Sequence, residues 1–380
     1  MITQKANEIK PFIVMEVLEK AAEMERKGIN VIHLEVGEPD FDVPSCVSEA
    51  VDKAFSEGRT HYTHSLGDPE LRDEICKRYH NSYGVNISPD QVIVTSGSSP
   101  AILLTLGVLC DIDDEVIISD PGYACYPNFI RFLNAKSVKV PVYEEDGFQY
   151  RPSEIEKRIT DRTKAIMINS PMNPTGNLLS PEVMKELVKF NIPIISDEIY
   201  HGLVYESRAH SILEFTDNAF VLNGFSKLFA MTGLRLGYVI APKHCVRPMQ
   251  KLQQNLFICA GSTEQRAGIA ALQSAGNDVA KMKETYNTRR KYIIERLTQL
   301  GFDIKVPPTG AFYVFVNVKH LSSDSYKLAF DILEKAHVGV TPGIDFGENG
   351  EGFLRFSYAN SIEKIEEGMN RLKKYLANLK

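Results

Sequence analysis

The sequence predicts an α/β protein in which a large domain on a mainly parallel sheet is joined to a smaller α+β domain. Three observations point there. Between residues 91 and 241, short apolar runs (QVIVT, EVIIS, AIMIN, PIISDE, AFVLN, LGYVIA) alternate with helical stretches and breakers, as strands covered on both faces do. After a charged helical region over 267–299, the texture changes to the strand-like FDIKV, FYVFVNV, VGVTP and FLRFSYA, then an amphipathic helix over 362–379. A chain of 380 residues also exceeds what one ordinary core accommodates. The expected division is 48–280 for the large domain and 1–47 with 281–380 for the small one.

Taken in order, residues 13–26 carry apolar side chains at helical spacing (Val14, Val17, Leu18, Ala21, Met24), with Gly28 as a C-terminal stop. VIHLEVGEPDF reads as a strand entering a turn, with Gly37 and Pro39 as breakers. HYTHSLGDPELRDEICKRY is a loop leading into a helix, Pro69 standing in the first turn, where no N–H is needed. GSSPAILLTLGVL opens a helix directly after QVIVT, and a further helix is expected over 128–133. In parallel sheets, ligands sit outside the carboxyl ends of the strands. Asn173 follows AIMIN, Asp197 and Tyr200 close PIISDEIY, and Lys227 follows AFVLN, so the chemically informative residues gather at that end.

Composition narrows the function. Hydrophobic content of 43% and charged content of 24% suit a soluble globular protein, and a net charge of −6 argues against nucleic acid or an anionic membrane as partner. The six cysteines (Cys46, Cys76, Cys110, Cys125, Cys245, Cys259) form no CxxC pair, which suggests reduced thiols in a cytoplasmic protein. MITQKANEIKPF lacks the pattern of a signal peptide, and PAILLTLGVLC is too short to span a bilayer. His61 and His64 lie in a loop without further nearby ligands and read as solvated side chains, so no metal site is expected. A Walker A loop, a GxSxG elbow, HExxH and a strand-linked GxGxxG are all missing, which removes the common nucleotide, hydrolase and dehydrogenase classes.

The chemistry concentrates in NGFSKLFAMTGLRLG, on the connection between AFVLN and LGYVIA. Packed among Phe225, Leu228, Phe229 and Met231, Lys227 would be desolvated and its pKa pulled below the ordinary value of about 10.4, as Schiff-base lysines require. Taken alone, a lysine whose stem packs while its head reaches water fits the same residues. The helix opening at GSSPA offers backbone N–H groups and the hydroxyls of Ser98 and Ser99 to an anion, although serine and glycine are also ordinary caps. Arg235 could close such a pocket with a two-pronged grip, or form an ion pair. Asp197, ending a buried strand, needs a cationic partner such as a protonated ring nitrogen, unless it caps a helix.

Six segments in order, LEVGEPDF, YTHSLGDPELR, SPMNPTG, SDEIY, NGFSKLFAMTGLRLGY and LRFSYA, carry a specific likeness over nearly the whole chain. On them the chain resembles the class I/II aminotransferases of pyridoxal-phosphate fold type I, in particular the aspartate and aromatic branch. The resemblance implies pyridoxal 5'-phosphate as cofactor. Lys227 would bind it as a Schiff base and later shuttle the substrate proton, while Asp197 would pair with the pyridinium nitrogen. Tyr200 and Asn173 would hydrogen-bond the phenolic oxygen, and Tyr123 would lie on the ring. Ser98, Ser99 and Arg235 would hold the phosphate, and Tyr62 would reach the phosphate of a neighbouring subunit, which implies a homodimer with shared sites. Arg355 would grip the substrate α-carboxylate beside Asn173 and the backbone of Gly37, under the helix that begins near Ile13.

The sequence departs from some relatives at one point. The phosphate-binding hydroxyl found three residues before the lysine is replaced by Gly224, and Ser226 next to the lysine is either a substitute ligand or a turn cap. The implied activity is ping-pong exchange of an amino group between an α-amino acid, aspartate or aromatic by preference, and a 2-oxo acid such as 2-oxoglutarate. A C–S β-lyase or other elimination enzyme shares the same parts. A cofactor-sensing DNA-binding regulator would need a basic recognition domain, and the stretch ahead of LEVGEPDF is too short for one.

Overall fold

The computed structural model describes residues 2–379. Its strands, in chain order, are β1 (Ile32–His33), β2 (Val92–Thr95), β3 (Glu115–Asp120), β4 (Lys136–Pro141), β5 (Thr163–Asn169), β6 (Ile194–Asp197), β7 (Ala219–Gly224), β8 (Gly237–Ile240), β9 (Tyr313–Asn317), β10 (Val338–Gly339), β11 (Thr341–Pro342) and β12 (Phe353–Ser357). A seven-stranded sheet takes the order β2-β8-β7-β6-β5-β3-β4. Its strands run parallel except β8, which pairs antiparallel with both β2 and β7. The carboxyl ends of β2, β5, β6 and β7 and the amino end of β8 therefore share one edge.

The apolar runs are continuous because both faces of this sheet are covered. Neighbouring residues of one strand enter opposite cores: Val221 joins one cluster, while Phe220 and Leu222 join the other. Helices Ser98–Leu109 and Lys243–Leu256 supply Leu104 and Met249 to one face, and helices Pro69–Tyr83 and Ser262–Ser274 supply Leu71, Ile75 and Ala267 to the other. Each buried leucine, isoleucine or methionine of this set contributes roughly 1.5–3 kcal/mol. Pro69 starts its helix as expected, with the Asp68 carboxylate accepting from Glu70 N–H and Gly84 closing it at φ +72°.

A second, antiparallel sheet has the order β11-β12-β9, and β1 pairs parallel with β10. Helix Ile13–Arg26 turns Val14, Val17, Ala21 and Met24 inward. Its first N–H groups, from Ile13 and Val14, donate to the distant Asp345 carboxylate at 2.9 and 3.3 Å, which ties the helix to the C-terminal third of the chain.

Four local expectations need correction. FDIKV forms no strand, because Pro307 and Pro308 follow closely and have no N–H for a ladder. The helical region 267–299 is two helices, Ser262–Ser274 and Gly276–Gln299, broken at Ala275. VIHLEV yields only the two-residue β1, and VGVTP divides into β10 and β11. KSVKVP, passed over in the sequence, is the edge strand β4, whose lysines are a normal guard on an exposed edge. The cysteines are free and partly buried, and among the described residues no helix is long and apolar enough to cross a membrane.

Candidate active site

The shared edge of the large sheet opens into a cleft of about 340 Å³. Gly37, Ser98, Ser99, Tyr123, Asn173, Asp197, Tyr200, Ser226, Lys227, Arg235 and Arg355 all line it. Tyr62 does not; it is 81% exposed on the loop before helix Pro69–Tyr83.

At one end stands the helix N-terminus that follows β2. Gly97 has φ +96°, and a Cβ there would lie 2.6 Å from Arg235 Nη2, so the guanidinium packs against the bare glycine. Arg235 itself adopts φ +50° and donates from Nη1 to the Thr232 carbonyl at 2.9 Å. Free N–H groups, two serine hydroxyls and a guanidinium thus converge where an anion is favoured. A side chain at Gly224 would be tight: a Cβ would meet the Leu236 carbonyl at 3.0 Å and Gly237 Cα at 3.2 Å. A hydroxyl at that position is therefore sterically awkward here, and Ser226 is the residue of this loop that reaches the cleft.

In the middle, Asp197 ends β6 with only 5% exposure. The Tyr126 hydroxyl donates to its Oδ2 at 2.6 Å and the Ile199 N–H to its Oδ1 at 3.1 Å. Burial raises its pKa to about 6, against the pull of those hydrogen bonds and of Lys227. Both direct partners are neutral, so the carboxylate has room for a cationic one. Tyr123 meets Tyr126 edge-on at 5.1 Å, and the Tyr200 hydroxyl hydrogen-bonds that of Tyr313 at 2.8 Å.

Lys227 occupies the β7–β8 connection. Its Nζ donates to the Gly37 carbonyl at 2.6 Å, and burial lowers its pKa to about 8; Glu38 opposes that shift, and Arg355 and Arg235 reinforce it. At the far end Arg355, 2% exposed, projects from β12. It donates to Asn173 Oδ1 at 2.8 Å, the Glu35 carbonyl at 2.6 Å and Thr341 Oγ1 at 3.2 Å, while its guanidinium lies 4.3 Å from the Tyr313 ring centre. All three acceptors are neutral, and Nε has no partner. A buried cation with no carboxylate among its hydrogen-bond partners is a ready site for one.

Comparison with known proteins places the chain as a whole. The family model described as "Aminotransferase class I and II" matches residues 29–372. The chain is a class I and II aminotransferase. It is similar to a (5-formylfuran-3-yl)methyl phosphate transaminase of Methanocaldococcus jannaschii, at 42% identity over 99% of this chain and 100% of that one. It is 41% identical to an aspartate aminotransferase of Pyrococcus horikoshii, over 99% and 97% of the two chains. Among solved structures, an aspartate aminotransferase from Thermus thermophilus with maleate superposes with a TM-score of 0.94 at 34% identity, covering 98% of this chain and 99% of that one. The fold is accordingly that of the type I aminotransferases.

Several groups of this aminotransferase site escape sequence reasoning. Tyr126 lies 71 residues from the carboxylate it serves, and Tyr313 is an ordinary strand tyrosine until β9 and β12 pair. Glu38 and Thr232 are hydrogen-bonded to each other at the cleft wall beside Lys227. The only advance signal was the second tyrosine of PGYACYP, three residues after Tyr123.

Proposed function

We propose that this aminotransferase uses pyridoxal 5'-phosphate bound at Lys227 to move amino groups from large apolar or aromatic α-amino acids to a 2-oxo acid such as 2-oxoglutarate. The observation that carries the reading is that one cleft gathers an anion-seeking group at Ser98, Ser99 and Arg235, a buried carboxylate at Asp197 whose direct partners are neutral, and a buried cation at Arg355 whose hydrogen-bond acceptors are neutral. A ring with a phosphate and a protonated nitrogen matches the first two, and an α-carboxylate matches the third. The Gly97 cradle, which a Cβ would fill, supports the phosphate assignment.

When bound, the group supplies an electron sink that acidifies the substrate Cα–H. The protein's own share follows from its residues. Arg355 and Asn173 would hold the α-carboxylate, Tyr123 would pack on the ring, and Tyr200 would hydrogen-bond its phenolic oxygen. Lys227 Nζ, with its pKa near 8, is neutral often enough at physiological pH to take the Cα proton. The helix beginning at Ile13 contributes Phe12, Val14, Met15 and Leu18 to the wall and keeps water out. Release of the oxo acid before entry of the second substrate gives ping-pong kinetics.

The preference for apolar donors rests on the same wall. Its cations are Lys227, Arg235 and Arg355, which the cofactor and the α-carboxylate would take up, so none is left for a side-chain carboxylate, and the lining from the Ile13 helix is apolar. Of the two donor classes expected from the sequence, an aromatic side chain suits this wall better than a second carboxylate does. Relatives include an aromatic-amino-acid aminotransferase of Thermococcus litoralis, at 36% identity. We further infer a division into 48–280 and 1–47 with 281–380, supported by the separate sheets, and a homodimer in which exposed Tyr62 meets the neighbouring subunit's phosphate.

The test is a panel of amino donors with 2-oxoglutarate, measuring oxo-acid product together with ammonia and sulfide. Phenylalanine or leucine should exceed aspartate in kcat/KM, without ammonia release. A preference for aspartate would overturn the donor assignment, and oxo-acid-independent ammonia or sulfide would mark a lyase.

A further inference from the structure

We propose that Glu35, through its buried pairing with His33, is a positioning residue that sets Arg355 for the substrate carboxylate. The proposal rests on the reading of Arg355 given above. The Glu35 side chain is fully buried, its Oε1 lies 2.6 Å from His33 Nδ1, and its Oε2 has no partner. A half-satisfied buried carboxylate is costly, so its presence beside the site calls for a reason.

The backbone of the same residue supplies one. The Glu35 carbonyl accepts from Arg355 Nη2 at 2.6 Å and from Thr341 Oγ1 at 3.1 Å, and Thr341 Oγ1 in turn accepts from Arg355 Nη2 at 3.2 Å. Two residues further on, the Gly37 carbonyl holds Lys227 Nζ. The Glu35 backbone therefore bears on the substrate-carboxylate cation, and the reactive amine is held separately at Gly37. Strand pairing does not extend to Glu35. The β1–β10 register ends at His33↔Gly339, and the last backbone hydrogen bonds are Leu34 N–H to the Gly339 carbonyl and Ser357 N–H to the Leu34 carbonyl.

Past that point the Glu35 side chain takes over as anchor. It sits against Gly339 so closely that a Cβ there would lie 2.0 Å from Oε2 and 2.5 Å from Cδ, so the opposite strand leaves a glycine-sized recess for the carboxylate. On the outer side, His33 also reaches Glu25 through Nε2 at 3.2 Å. The hydrogen bond to Glu35 outweighs burial and raises the His33 pKa to about 9, so the ring is protonated at neutral pH. The chain of contact then runs His33, Glu35 side chain, Glu35 carbonyl, Arg355.

The test compares Glu35→Ala, Glu35→Gln and His33→Ala as holoenzymes. It measures KM and kcat for phenylalanine, calorimetric binding of 3-phenylpropanoate (a carboxylate without an amine), and affinity for pyridoxal 5'-phosphate. Glu35→Ala should raise both KM and the 3-phenylpropanoate Kd about tenfold, with kcat and cofactor affinity within about threefold of wild type. Glu35→Gln, which keeps the shape and an acceptor for His33, should recover most of the loss. His33→Ala, at a half-exposed position, should show a rise of about threefold or more in both constants. Unchanged KM and Kd in Glu35→Ala would overturn the proposal, as would parallel losses in kcat and cofactor affinity, which indicate general disruption. If Glu35→Ala does not fold, unchanged constants in His33→Ala overturn it equally. Absence of transamination by the unmodified enzyme would instead refute the functional reading, and 3-phenylpropanoate binding would still report on Glu35.

Discussion

Replacing Gly97 by alanine should weaken binding of the phosphate end of the cofactor selectively. The added methyl would stand 2.6 Å from Arg235 Nη2 and 3.2 Å from its Cζ, so the guanidinium must retreat by about 0.8 Å to reach ordinary contact at 3.4 Å. The turn cannot give way instead. On its other side Gly237 packs so tightly that a Cβ there would come within 2.6 Å of the Gly97 carbonyl carbon. At φ +96° and ψ 171° alanine is also strained, by about 1–3 kcal/mol, which should appear as a lower melting temperature. A displaced arginine loses a charge-assisted contact of roughly 1.5–3 kcal/mol. That corresponds to an increase in Kd of about 10- to 150-fold. Fluorescence titration with pyridoxal 5'-phosphate measures it, and titration with pyridoxal, which has no phosphate, is the control whose affinity should not change. Equal losses for both ligands, or no loss for either, would refute the reasoning.

Two further outcomes follow from Asp197 and its partner. Tyr126→Phe removes the 2.6 Å hydrogen bond to a buried carboxylate and should lower cofactor affinity about tenfold while leaving KM for the amino acid within about twofold, checked by the same titration and by steady-state kinetics. Asp197→Asn should abolish most turnover yet stabilise the cofactor-free protein. Because burial raises the Asp197 pKa from 3.8 to about 6, its unfavourable ionisation sets in as pH rises through that interval and is complete above it. The variant should thus be more stable than wild type above pH 6, by up to about 3 kcal/mol, with the gap closing below about pH 4. Urea unfolding across that range checks the sign, and a gap that widens at acid pH would contradict it.

What could be read from the sequence, and what could not, divides along physical lines. Lys227, Asp197 and Asn173 are legible because buried parallel strands make continuous apolar runs, and a polar residue at the end of such a run stands out. The strands β2, β3 and β5 to β8 were visible for the same reason. Edge strand β4 was not, because its lysines break the apolar run. Tyr126, Tyr313 and the contact of Glu35 with Arg355 are invisible in one dimension, since each acquires its partner only when distant segments close on one another. The reverse case is FDIKV, whose alternation suggests a strand but whose following prolines deny it a partner.

The most direct test of the account concerns Lys227 itself. The protein is incubated with pyridoxal 5'-phosphate, reduced with borohydride to fix any lysine–cofactor bond, and digested for peptide mass analysis, with and without prior addition of phenylalanine. One modified peptide, carrying Lys227, is expected, with loss of that modification when phenylalanine is added before reduction. Modification at other lysines with Lys227 untouched, or none at all, would contradict it.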